Sequence, residues 1–166
     1  MERNQTLKAE NQGFTLIEMT VVLLVVILLS TLFFVYWRTG EKSREILLTA
    51  QKIASDLRKT QMMAISSLGQ ADGVYGYGVY TQSANRYLIF YNQTGLIYSG
   101  SSRNLETITL ASGLNLSPTG QSIFFLPPDP TTYLNGSNSG SQTLFLTKGD
   151  QTKKIIIYAS GRIEIE

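Results

Sequence analysis

The stretch that most constrains this chain is Phe14 to Trp37, 24 residues that carry a single charge, Glu18. Its centre, Val21 to Trp37, reads VVLLVVILLSTLFFVYW, interrupted only by Ser30 and Thr31. At about 1.5 Å per residue, a helix of this length crosses a bilayer core of about 30 Å. Tyr36, Trp37 and Arg38 close the run with an aromatic pair and a cation, the residue types that settle at a membrane edge. A secretory signal peptide would have a shorter apolar core followed by a small-residue cleavage site. No such site follows here, so the segment is predicted to be retained as a transmembrane helix.

What remains is a single modest domain. The chain has 166 residues, no cysteine and no histidine. Disulfide frameworks, thiol catalysis, cysteine-type zinc and iron–sulfur sites, histidine-ligated metals and Ser-His-Asp triads are therefore excluded. The net charge of +2 is too small to argue for a nucleic-acid partner. The basic residues beyond the helix (Arg86, Arg103, Lys148, Lys153, Lys154 and Arg162) are dispersed along the chain. The acids Asp72, Glu106, Asp129 and Asp150 show no spacing that suggests an acid–base pair or a ligand set. Asp129, in a proline-rich stretch, and Asp150, after Gly149, are the candidates for a calcium site, with turn formation the simpler role for both. No cofactor and no metal is expected, and the chain is not expected to be an enzyme.

Glu18 is the residue that demands an account. An ionised carboxylate costs about 2.5–3.5 kcal/mol at the centre of a span and less toward its edge. Residues 12–18, Gln-Gly-Phe-Thr-Leu-Ile-Glu, lie directly before the apolar run. This string resembles the type IV prepilin signature, a glycine followed by an aromatic residue, Thr-Leu, one variable residue and a glutamate. The resemblance implies a leader, residues 1–13, removed by a membrane-embedded prepilin peptidase between Gly13 and Phe14. It implies N-methylation of the new Phe14 amine and assembly of the helices into a filament, where Glu18 of one subunit meets the Phe14 amine of a neighbour. Charge asymmetry alone, with Arg38, Lys42 and Arg44 beyond the span, would draw the far side inward. A cytoplasmic N-terminus in the inner or plasma membrane, with the rest extracytoplasmic, follows from the resemblance.

Beyond Gly40 the apolar residues Ile46, Leu47, Ala50, Ile53, Ala54, Leu57, Ala64, Ile65 and Leu68 recur at three- and four-residue intervals, predicting an amphipathic helix over 38–68. Its polar side, with Arg38, Lys42, Arg44, Lys52, Arg58 and Lys59, is read as a solvated face carrying pairs such as Glu41 with Arg44 and Glu45 with Lys42. No proline or glycine interrupts the span before Gly40, so the helix is expected to be continuous.

Composition changes at Gly69: twelve of fourteen glycines and eight of nine tyrosines lie from there onward. Residues 69–166 are predicted to form an antiparallel β domain, making the whole α+β. Val74–Tyr80 and Arg86–Tyr91 form a hairpin, followed by strands at Leu105–Leu110, Ser122–Leu126, Leu144–Thr147, Lys154–Tyr158 and Arg162–Glu166. Alternation puts Gly76 and Gly78 on one face of the first strand, where they are expected to admit the helix. Asn135 to Gln142 is predicted to be a flexible loop.

A long helix followed by such a domain resembles the GspH/FimT-type minor pseudopilins of type II secretion. The likeness rests on Asp56-Leu57-Arg58 to Ala64-Ile65, on Ser122-Ile123-Phe124-Phe125 before the prolines, and on Ser160-Gly161-Arg162-Ile163. It implies a pilin-like fold and a minor subunit of a short secretion filament. The implied partners are prepilin peptidase, other pseudopilins or pilins, an inner-membrane assembly platform and membrane lipid. A pilus or competence subunit is the alternative, and a membrane-anchored extracytoplasmic enzyme a more distant one.

Overall fold

The computed structural model describes residues 14–66, 73–127 and 131–166. The leader positions through Gly13, Leu68, Asp72 and Asp129 lie outside the described residues, as do the side chains of Tyr36, Trp37, Arg38, Glu41 and Lys42. The architecture is α+β, with one long helix, α1 (Leu16–Ser66), followed by nine strands among the described residues. The chain divides into two compact units, Met1–Gly40 and Glu41–Glu166, with α1 contributing its first part to the former and its second to the latter.

In the first unit, Leu16–Phe34 is a helix of 19 residues with a mean hydropathy of 2.6, none of it buried. Its length, about 28 Å, matches a bilayer core.

The second unit is built on the other part of α1. Ile46, Ala50, Ile53, Ala54, Leu57 and Ala64 are buried in one stripe with Thr60, whose hydroxyl donates to the Asp56 carbonyl at 2.7 Å. Leu47, placed on this stripe by periodicity, is instead 39% exposed, because it is displaced one position around the helix from Ile46.

Nine antiparallel strands form two sheets. The first has the order β3-β2-β1-β5-β6, with β1 (Gly76–Ser83), β2 (Arg86–Asn92), β3 (Arg103–Thr109), β5 (Ser122–Leu126) and β6 (Thr131–Leu134). The second has the order β4-β7-β8-β9, with β4 (Asn115–Ser117), β7 (Ser141–Lys148), β8 (Gln151–Tyr158) and β9 (Ile163–Ile165). Val79, Ile89, Ile123 and Phe125 from the first sheet share one core with Leu144, Leu146, Ile155 and Ile157 from the second and with the helix stripe.

Two expectations are corrected here. The glycines of β1 do not admit the helix: Val79 and Tyr77 face the core it shares, and Gly76 and Gly78 face the other way. A Cβ on Gly78 would stand 2.6 Å from the Phe90 ring and 2.7 Å from the Ile123 carbonyl; one on Gly76 would meet the Phe125 carbonyl and the Phe124 ring. The glycines make room for two phenylalanine rings, which Tyr75, Tyr80 and Tyr98 complete as a second aromatic layer. The stretch 135–142 is also more ordered than its composition suggests. Asn135 and Gly136 form a tight turn, and Ser141 and Gln142 already belong to β7. Short strands β4 and β6 escaped the pattern, being three and four residues long.

Candidate functional site

Sixteen large apolar side chains are exposed between Phe14 and Phe34. Covering such a side chain gains about 1.5–3 kcal/mol, and the segment has the length and composition required to cross a membrane.

The polar groups on the segment suit the same setting. Thr20 donates its hydroxyl to the Ile17 carbonyl, Ser30 to that of Val26 and Thr31 to that of Leu28, each at 2.7 Å. Each hydroxyl is satisfied by the helix that carries it, which removes most of the cost of placing it in hydrocarbon.

The helix start is arranged in the same way. Thr15 precedes α1, its carbonyl accepts the first helical bond from Met19 N–H at 3.2 Å, and its hydroxyl accepts Glu18 N–H at 3.3 Å. Thr15 is thus the N-cap, three residues before a glutamate, in the spacing of a capping box. Among the described residues, however, the Glu18 carboxylate makes no hydrogen bond or ion pair. It stands in the first turn, where the helix dipole favours an anion. Phe14, 72% exposed, lies just before the cap. The structure thus places Phe14 and Glu18 within one turn of each other on an apolar surface. Gly13 is outside the described residues. Thr15 was not singled out from sequence, although the Thr-x-x-Glu spacing before an apolar run was there to be read.

Several charged groups of the second unit join the helix to the strands. Glu45, expected to pair with Lys42, pairs with Lys148 across from the β7–β8 turn, and Gln151 donates to Ser43 at 2.7 Å. Lys59 bonds Glu106 at 3.0 Å on the surface, which raises the lysine pKa. Asp56 accepts the hydroxyl of the buried Tyr87 at 2.5 Å. Burial first, and then this bond to an anion, push the Tyr87 pKa far above its ordinary value. Asp150 sits in the β7–β8 turn beside Gly149. Among the described residues no three acidic side chains converge on one point.

No family model, no curated protein and no solved structure matches this chain.

Proposed function

We propose that the chain is a membrane-anchored minor pseudopilin or pilin subunit with a pilin-like fold, processed at Gly13–Phe14 and assembled through its apolar helix into a short filament serving protein secretion. The observation that carries this reading is the state of the apolar segment. The hydroxyls of Thr20, Ser30 and Thr31 are satisfied by their own helix, and among the described residues the Glu18 carboxylate, a turn from Phe14, has no partner.

An ionised group on a surface bound for hydrocarbon costs free energy unless it is matched by an opposite charge. Cleavage before Phe14 creates that charge, an α-ammonium group, and a neighbouring subunit offers it in the same register. Thr15 suits the arrangement, because its hydroxyl takes over the capping role and leaves the Glu18 carboxylate free for a partner. The segment is covered by lipid before assembly and by other helices after it. In this reading the β domain faces outward, and prepilin peptidase, the assembly platform and sister subunits are the partners.

Co-expression with and without a prepilin peptidase tests the proposal. The expected result is a chain shortened by the thirteen leader residues, with an N-methylated Phe14 at its new terminus by mass spectrometry. An unprocessed chain in the peptidase-containing strain would falsify it. In cleaved material, Glu18→Ala is expected to leave processing intact and to reduce recovery of the subunit in sheared filaments.

A further inference from the structure

Asn135 and Gly136 close a two-residue hairpin. Leu134 N–H donates to the Ser137 carbonyl at 2.6 Å and Ser137 N–H to the Leu134 carbonyl at 3.0 Å. Both turn residues have positive φ, 51° and 85°, the conformation of the hairpin turn that favours Asn-Gly. Asn-Gly is also the pair most prone to spontaneous deamidation, because glycine has no side chain to shield the nitrogen that attacks the asparagine carboxamide.

In this fold the carboxamide is not free to be attacked. Asn135 Oδ1 accepts Ser122 N–H at 2.8 Å, and Asn135 Nδ2 donates to Gln121 Oε1 at 2.6 Å and lies 3.5 Å from Gln142 Oε1. Gln142 Nε2 donates to the same Gln121 oxygen at 2.6 Å. Gln121 immediately precedes β5 in the first sheet and Gln142 lies in β7 of the second, so the three carboxamides join the two sheets.

We propose that Asn135 is a gated deamidation site, held unreactive by its bonds to Ser122, Gln121 and Gln142 and converted once they open. In the reaction Gly136 N attacks Asn135 Cγ. The N–Cγ bond forms, the Cγ–Nδ2 bond breaks, and ammonia leaves with the proton given up by Gly136 N. Water then opens the cyclic imide at either carbonyl, giving aspartate or isoaspartate. The sum is water consumed and ammonia released, with no oxidation. Conversion removes the Nδ2 donor and sets a carboxylate oxygen against Gln121 Oε1, so it cannot be undone by refolding and it loosens the junction between the sheets.

Attack requires the turn to open and the carboxamide bonds to break, each bond slowing the reaction between about twofold and about tenfold. Together they predict about hundredfold protection of the folded state. Asn138, followed by Ser139, is an internal comparator: like Asn135 it is exposed, but its side chain makes no hydrogen bond among the described residues.

The test is ageing of the full chain in detergent at mildly alkaline pH, with peptide mass spectrometry at both sites. In denaturant Asn135 should convert faster than Asn138, because glycine follows it. In the folded protein the order should invert. Conversion of Asn135 ahead of Asn138 in the folded wild type would overturn the proposal. Gln121→Ala, which removes the shared acceptor, should speed conversion at Asn135 about tenfold with Asn138 unchanged. An unchanged Asn135 rate in a variant shown by circular dichroism to be folded would also overturn it, and if that variant unfolds, the inversion in the wild type decides.

Discussion

Tyr87 shows how one residue ties the helix to the first sheet. Its ring is buried in the common core while its hydroxyl reaches Asp56 on α1. Replacing it with phenylalanine keeps the packing but leaves a half-buried carboxylate without its donor. Tyr87→Phe should therefore cost about 1–3 kcal/mol in denaturant unfolding. The alkaline limb of stability should change as well. The folded pKa is raised above the ordinary value of 10.0, so the protonated form favours folding. That contribution is complete below pH 10.0 and is lost as pH rises beyond it, where only the unfolded chain gives up the proton. The tyrosine variant should show a shallower fall in stability above that pH. Gly78 makes the opposite point, since its role is to be absent. Gly78→Ala drives a methyl into the Phe90 ring and a strand carbonyl, and is expected to cost about 1–3 kcal/mol in thermal or denaturant unfolding. The alternation of glycine with tyrosine was legible in the sequence. Which face the glycines served was not, because a strand with one empty face suits a helix and a ring equally well until its neighbours are known.

At the scale of the element, α1 is two different helices in one. Over Leu16–Phe34 no side chain is buried, and composition alone announces it, because a transfer free energy is a sum over residues and needs no partner. Val26→Arg, in the middle of that span, adds about 2.5–3.5 kcal/mol to its insertion. Carbonate should extract a larger fraction of the variant than of the wild type, without releasing it completely, because the apolar residues of the span outweigh one arginine. Over Ile46–Ala64 the stripe is visible as a period, but its edges are not. Leu47 falls outside it and Thr60 within, a difference set by a rotation of the helix that only the packed sheets fix. The strands divide in the same manner. β2 and β5 stand where continuous apolar runs place them, whereas β4 and β6 are too short to stand out in the sequence and exist because longer strands supply their hydrogen bonds.

For the whole molecule, the division at Gly40 separates a part whose helix is long and apolar enough to cross a membrane from a part with a core of its own. The second unit contains the helix stripe and the inner faces of both sheets in a single core. A fragment spanning Glu41–Glu166 is accordingly expected to be soluble and to unfold in one cooperative transition by circular dichroism. Early loss of either sheet would show that the core is not shared.

The amino-acid sequence by itself determined the apolar span with its solitary Glu18, the α+β division at Gly69, and the removal of cysteine and histidine chemistry. These are additive or local properties, sums of transfer free energies and short periodicities, that need no knowledge of distant residues. The tertiary structure alone decided that Glu45 pairs with Lys148, that Asp56 holds Tyr87, that the glycines shelter two rings, and that three carboxamides close the Asn135 turn. Each joins residues far apart in the chain, and an oxygen that any of several donors could satisfy is assigned only when packing has excluded the others.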